Sequence, residues 1–304
     1  MSKVDLKQVN ILIAIVTYNG EKFIESCIDS IQTVTKCQIH VIDNQSNDNT
    51  TSIIKNKYPH VFITESKENL GFGKANNLLL EKAIDADMDF VFLLNQDAYF
   101  VGDCLDLLIN EAINSDEYIF SPMHLKKDRC RLDEGFAMYT KDGLMLDNLS
   151  FVNAAAWLIP MRILKAVGGF NPLFFHYGED RDYANRLKYK GFSFQVIKDA
   201  QLIHNRDLSH LKNLTVKKHQ YEYRFYINIL RYFTDINNTM AKCLFNSIYM
   251  VVREIISNMY LKRWFLIRGN LNAIWKCCYQ IRSIYQKREM AKKWPSAFLN
   301  VTLK

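Results

Sequence analysis

The sequence predicts an α/β fold: a mixed, mostly parallel sheet flanked by helices, followed by a C-terminal helical extension. Three observations carry this. Runs such as ILIAIV (11–16) and FVFLL (90–94) are wholly apolar, as in strands buried on both faces of a parallel sheet. These runs alternate with segments of helical periodicity through the first half of the chain. After about residue 215 only helical spacing remains, so the predicted division is 1–214 for the sheet-bearing domain and 215–304 for the extension.

The elements follow in order. NILIAIVTY (10–18) reads as the first strand, and 21–33 as a helix with Phe23, Ile24, Cys27, Ile28 and Ile31 on one face. QIHVIDNQS (38–46) is a second strand, and 50–57 a helix that Pro59 closes off. A strand at 60–64 precedes a helix over 71–85, with Asn69 as its cap. A strand then ends at Asn95, and 103–114 is helical. YIFSPMHL (118–125) is a strand, and 129–150 reads as a hairpin around Asp142-Gly143. FVNAAAWLIP (151–160) is a further strand, leading into a short helix that ends at Gly168-Gly169. A helix over 179–190 stops at Gly191, and FSFQVIKDAQLIH (192–204) is the last strand. In the extension, 221–233, 240–267 and 273–287 carry apolar and aromatic residues at helical spacing, interleaved with Lys and Arg.

Composition narrows the class. The chain has 304 residues, enough for a large core, and its 49% hydrophobic and 23% charged residues exclude wholesale disorder. The net charge of +7 is unevenly spread. Residues 1–205 hold 21 Lys and Arg against 27 Asp and Glu, whereas residues 206–304 hold 18 against 5. The basic excess therefore belongs to the extension. Seven cysteines without a C-x-x-C pair predict reduced thiols in a cytoplasmic compartment rather than disulfides or a zinc site. MSKVDLKQVN has no apolar core, which predicts no secretory signal, and no run reaches transmembrane length.

Four segments could carry chemistry. Asp97 stands just past the strand that ends at Asn95-Gln96, where open α/β sheets bind ligands. The exits of the first two strands, Thr17-Tyr18-Asn19-Gly20 and Asp43-Asn44-Gln45-Ser46, would form a crevice with backbone N–H groups and an acid for a base or ribose. Taken singly, each is ordinary turn chemistry. Gly71-Phe72-Gly73-Lys74 opens a helix without meeting the dinucleotide fingerprint; the close backbone approach suits a uridine or thymidine nucleotide or a diphosphate. HYGEDRD (176–182) crowds Glu179, Asp180 and Asp182 into one helical turn, which the helix dipole favours and which a general base also needs. His204 ends the last strand. With Asp97 it makes an oxygen–nitrogen pair suited to Mg²⁺ or Mn²⁺, a diphosphate filling other positions.

The segments VTYNG, DNQSNDNT, ENLGFGKANN, LLNQDAYF, FVNAAAWLIP, GGFNPLFFHYGEDRDYANRLKYKG and LIHNRDLS occur in the order and approximate spacing of the inverting family 2 glycosyltransferases. The chain resembles the rhamnosyltransferase-like branch of that family over about 9–210. The resemblance implies a GT-A (Rossmann-like) fold and a nucleotide-sugar site at Thr17, Tyr18, Asn19, Asp43, Ser46, Gly71, Lys74, Asn77, Asn95, Gln96 and Asp97. It implies Asp180 as base with Glu179 second, and a sugar and acceptor floor of Asn153, Ala154, Trp157 and His176. The metal motif departs from Asp-x-Asp because its first acid is Asn95, which shifts the holding of a divalent metal toward Asp97 and His204.

The expected activity is transfer of a hexosyl or deoxyhexosyl group from a UDP- or dTDP-sugar to a glycan or lipid-linked acceptor, building surface polysaccharide or glycolipid. The basic, aromatic-rich extension is expected either to pack on the catalytic domain, to meet a homo-oligomeric partner, or to lie on the inner face of the cytoplasmic membrane. No RNA or DNA motif accompanies the charge, so nucleic acid is not an expected partner. Two alternatives stand beside this. A sugar-phosphate nucleotidylyltransferase would want a Gly-rich basic loop after the first strand, which VTYNGEKF lacks. A non-catalytic carbohydrate-binding scaffold is opposed by the acidic helix start and Asp97.

Overall fold

The computed structural model describes residues 6–115, 117–205 and 214–300. Its strands are β1 (Asn10–Thr17), β2 (Lys36–Asp43), β3 (Phe62–Glu65), β4 (Phe90–Asn95), β5 (Ala98–Val101), β6 (Tyr118–Leu125), β7 (Ala156–Pro160) and β8 (Ser193–His204). They form one sheet in the order β3-β2-β1-β4-β7-β6-β8-β5. β1 to β4 run parallel, β7 is antiparallel to β4, β6 antiparallel to β7, and β8 parallel to β6.

β5 pairs antiparallel with β8 at the far edge. Only Gln96 and Asp97 separate it from β4 along the chain, a reach of about 10 Å. Four flat interstrand spacings would require roughly 19 Å. The sheet must therefore curl, and the curl brings the carboxyl end of β4 beside the end of β8.

Side chains of β1 alternate between two cores. Leu12 and Ala14 face α3 (Gly71–Asp85), α6 (Met161–Val167) and α7 (Glu179–Tyr189); Ile11, Ile13 and Ile15 face α1 (Ile24–Asp29), α2 (Thr50–Lys57) and α4 (Cys104–Ala112). The extension builds a third core around Phe225, Ile229, Phe233, Cys277 and Ile284. It comprises α8 (Leu214–Thr234), α9 (Met240–Tyr260), α10 (Ile267–Tyr279) and α11 (Ile281–Lys293). The segment after α11 returns to the sheet domain, where the Gly169 N–H donates to the Ala297 carbonyl at 2.8 Å.

The structure corrects several sequence expectations. The hairpin expected over 129–150 is instead α5 (Glu134–Thr140), capped by the Asp133 carboxylate accepting from Phe136 N–H at 3.1 Å. Lys141, Asp142 and Gly143 all take positive φ, so Asp-Gly here ends a helix rather than turning a hairpin. The helix expected over 21–33 shortens to α1, and only the second half of 151–160 is a strand. The helix expected over 240–267 breaks after Tyr260, where Lys262 turns left-handed. Asn258 Nδ2 donates to Asn270 Oδ1 at 3.0 Å across that break, tying α9 to α10.

Candidate active site

A cavity of about 350 Å³ opens at the carboxyl ends of β1 and β4. Thr17, Tyr18, Asn95, Gln96 and Asp97 line it from the strand ends, Gly71 from the start of α3, and His176 from the loop before α7. Gln96 fixes two strand exits together: its Oε1 accepts from Tyr18 N–H, and its Nε2 donates to the Tyr18 carbonyl, both at 3.0 Å. A side-chain amide thus imitates a ladder pair just where the backbone ladder stops.

The neighbouring exits are cross-tied by Asp43. Its Oδ1 accepts from Thr17 Oγ1 at 2.7 Å and from Ser46 Oγ at 2.6 Å, and its Oδ2 from Ser46 N–H at 2.8 Å. Asn19, at positive φ, donates its N–H to Ser46 Oγ at 2.9 Å. Asp43 is buried in these bonds, and the residue after it, Asn44, faces the cavity in its place. Asn44 also accepts from Leu70 N–H at 3.3 Å and donates to the Gly71 carbonyl at 3.2 Å, which positions the α3 start. Gly71 has φ +77°, and a Cβ there would run into the Phe175 carbonyl oxygen. The position therefore needs glycine.

Register explains the central juxtaposition. Ala98 lies opposite His204 in the β5–β8 pair, and Asn205 N–H donates to the Asp97 carbonyl at 2.8 Å. This leaves Asp97 Oδ1 3.4 Å from His204 Nε2. One carboxylate oxygen and one imidazole nitrogen at that separation can both bind one hard-to-borderline divalent ion, so the donor set fits Mg²⁺ or Mn²⁺ as a pair of protein ligands. Among the described residues no cluster of three or more His, Cys, Asp or Glu is arranged for a metal, so further ligands would come from bound substrate or water.

The three acids of the α7 start separate into distinct environments. Asp182 is structural. It pairs with Arg186 at 2.9 Å, each side chain 2% exposed, and Arg186 in turn donates to the Val167 and Gly169 carbonyls. Glu179 is 7% exposed, packs toward Gly73 of α3, and keeps Oε2 without a hydrogen-bond partner. Burial, reinforced by the charge of Asp180, pushes its carboxyl up to about 8. Asp180 lines a neighbouring cavity with Tyr177, Arg181 and Arg231. Burial raises its proton affinity too, opposed by the Arg181 N–H and by the charges of Arg181 and Arg231. The 175–178 loop borders both cavities, Phe175 and His176 on the first and Tyr177 and Gly178 on the second. Tyr223 of α8 holds this loop: its hydroxyl donates to the His176 carbonyl at 2.7 Å and accepts from His176 N–H at 3.2 Å. Burial lowers the pKa of the His176 imidazole.

Other expected site residues lie elsewhere. Lys74 is exposed on a separate cavity between α3 and the 294–300 segment. Asn77, nearly two turns into α3, is consumed by Phe170 and Phe298: Nδ2 donates to both carbonyls, and Oδ1 accepts from Phe170 N–H at 2.6 Å. Trp157 is fully buried among Phe170, Tyr183 and Phe194 on an inward position of β7 and belongs to the core. Asn153 keeps a buried Oδ1 without a partner, and Ala154 is buried beside the core. Asn44, Asn69, Phe72 and Phe175 also line the first cavity, where the sequence pointed only to their segments and, for Asn69, to a helix cap. Asn44 carried a signal, being the turn residue next to Asp43.

A curled mixed sheet with a polar cavity at its carboxyl edge and a carboxylate–imidazole pair beside it is the architecture of the GT-A fold. More particularly, residues 12–156, a little under half of the chain, match the model of glycosyl transferase family 2. The chain is 22% identical over 228 residues to an N-acetylglucosaminyl-diphospho-decaprenol L-rhamnosyltransferase of Mycobacterium tuberculosis, covering 63% of this chain and 74% of the relative. Among solved structures it is similar to S. aureus TarS 1-349 in complex with UDP-GlcNAc, with TM-score 0.59, 14% identity, and coverage of 93% of this chain and 84% of the other. It is also similar to the mannosyltransferase PcManGT of Pyrobaculum calidifontis in complex with GDP-Man and Mn²⁺, with TM-score 0.57, 16% identity, and coverage of 88% and 75%. At these identities the likeness establishes the fold.

Proposed function

We propose that the chain transfers a hexosyl or deoxyhexosyl group, with inversion, from a UDP- or dTDP-sugar to a hydroxyl of a glycan or lipid-linked acceptor. The observation that carries this is Asp97 on the wall of the cavity at the ends of β1 and β4, with the buried His204 imidazole behind it, Nε2 3.4 Å from the carboxylate. The nucleotide would lie against Thr17, Tyr18, Asn44 and the Gly71 backbone. Asp97 and His204 would hold a divalent metal, whose charge, when bound, would offset that of the departing diphosphate. The solved complexes of similar proteins with UDP-GlcNAc and with GDP-Man and Mn²⁺ support the donor class.

The acceptor would enter the adjoining cavity. There Asp180 takes the proton of its hydroxyl as the oxygen bonds to the anomeric carbon, and the bond from that carbon to the diphosphate oxygen breaks with its electron pair leaving on the diphosphate. Position favours Asp180 over Glu179 for this role: Asp180 lines the cavity, whereas Glu179 is buried toward Gly73. Asp180→Asn should lower transfer by about 10²- to 10⁴-fold while donor affinity stays unchanged; transfer at the original rate removes Asp180 from the role.

The extension supports a membrane-surface role. Phe245, Ile248, Tyr249, Val252, Ile256 and Tyr260 form one exposed stripe along α9, and Trp275 and Tyr279 are exposed on α10. Tyr260 is 85% and Trp275 64% exposed. Arg253, Lys262, Arg263, Arg268 and Lys276, all exposed, accompany them. Apolar rings set among basic side chains complement an anionic bilayer surface. Among the described residues no helix is long and apolar enough to cross a membrane.

A further inference from the structure

The cavity that Asp180 lines, about 310 Å³, gathers three arginines that the catalytic step does not use. Arg181 stacks over Phe151 at 3.4 Å and over Tyr139 at 4.7 Å; Arg224 lies over Tyr177 at 5.6 Å. Stacking occupies the faces of these guanidinium groups and leaves the N–H donors along their edges for an oxygen ligand. Arg231 uses Nη1 on Asn228 Oδ1 at 3.0 Å, while its Nε is buried without a partner. None of the three forms an ion pair with a carboxylate among the described residues.

The electrostatics are unbalanced. Among the described residues, three guanidinium groups share the cavity with the one carboxylate of Asp180, an excess of two positive charges. Burial first, and then the charge of Arg181, lower the proton affinity of Arg231. Like charges held this closely in a half-buried site are relieved by an anion that brings more than one negative oxygen. The nucleotide cavity is lined by none of the three arginines, so the donor diphosphate does not account for them.

We propose that this cavity binds a phosphate group of the acceptor: the hydroxyl presented to Asp180 belongs to a molecule that carries a diphosphate or phosphodiester close to the attacking sugar or polyol. The inference rests on the transferase reading above and adds the chemical class of the acceptor. Bidentate Arg–phosphate contacts would also fix the acceptor's orientation, so that its hydroxyl, and not another, meets the carboxylate.

The test is calorimetric titration of the full chain with inorganic pyrophosphate, with EDTA present to suppress metal-dependent binding at Asp97. Arg224→Gln and Arg231→Gln should each weaken binding about tenfold or more, and Arg231→Lys should recover part of the loss. Arg224 is exposed, so its replacement leaves the core intact; circular dichroism checks the fold of each variant. Unchanged affinity in Arg224→Gln, or a loss seen only in Asp97→Ala, overturns the proposal. Competition then identifies the source of the phosphate. Displacement by farnesyl diphosphate alone assigns a lipid diphosphate, displacement by an oligomer of glycerol phosphate alone assigns a phosphodiester polymer, and displacement by neither overturns the site. Arginine-dependent pyrophosphate binding in a chain that binds no nucleotide sugar would refute the transferase reading and leave this site standing. The reverse pattern refutes this site alone.

Discussion

Replacing Glu179 by Gln should flatten the pH dependence of stability. The carboxyl is 7% exposed, Oε2 has no partner, and burial with the Asp180 charge moves its pKa from 4.5 to about 8. An unfolded chain releases this proton near pH 4.5, whereas the folded chain keeps it to about pH 8. Between those values the unfolded state binds fewer protons, so stability falls as pH rises. The contribution is fully present below 4.5 and lost above 8. At 1.36 kcal/mol per tenfold change in proton affinity, the rise from 4.5 to about 8 sets a ceiling on the order of 5 kcal/mol. Gln has no proton to release and nearly the same shape. The variant should therefore gain on the wild type by several kcal/mol between pH 5 and pH 8.5, as read by urea unfolding at both values. Parallel stability profiles would refute the assignment of a buried, protonated Glu179.

Two further outcomes follow from the geometry. Gly71→Ala should weaken nucleotide binding and cost stability, about 1–2 kcal/mol from the left-handed backbone alone, with the collision against the Phe175 carbonyl added; calorimetry with UDP and thermal unfolding read the two effects, and an unchanged variant would show that the α3 start is not held as described. The intact chain should float with vesicles containing phosphatidylglycerol and not with pure phosphatidylcholine, and Tyr260→Ser with Trp275→Ser should reduce the bound fraction. No flotation, or sedimentation as a dimer that buries these side chains, would assign the apolar stripe of α9 to a second copy of the chain.

The sheet was legible where burial is continuous. β1 and β4 announce themselves as apolar runs bounded by polar turns, and α3 by a Gly-rich start and helical spacing. β5 was not legible: Ala98–Val101 is four residues long and continues an apolar run from β4 with only Gln96 and Asp97 between. That omission hid the β5–β8 register, which is what brings Asp97 to His204. Chemistry and strand ends suggest the pairing, but its geometry lies in a long-range register that no local pattern encodes. Asp142-Gly143 misled because two successive positive-φ residues serve a helix end as well as a hairpin turn. Lys74 and Asn77 share a motif with Gly71 along the chain, yet on a helix they point around and away from it, to the exposed face and to the Phe170 turn. Trp157 shows the same limit on a strand. Alternation separates core from pocket only when the depth of the floor is known, and the rings of Phe170, Tyr183 and Phe194 claim the indole.

The most direct test of the donor site is the affinity of UDP and dTDP, measured by calorimetry with and without Mn²⁺, in the wild type, Asp97→Ala and His204→Ala. A shared metal held by these two side chains predicts that Mn²⁺ tightens nucleotide binding in the wild type, and that either substitution abolishes the enhancement while leaving metal-free affinity nearly unchanged. Equal Mn²⁺ enhancement in all three chains would contradict it.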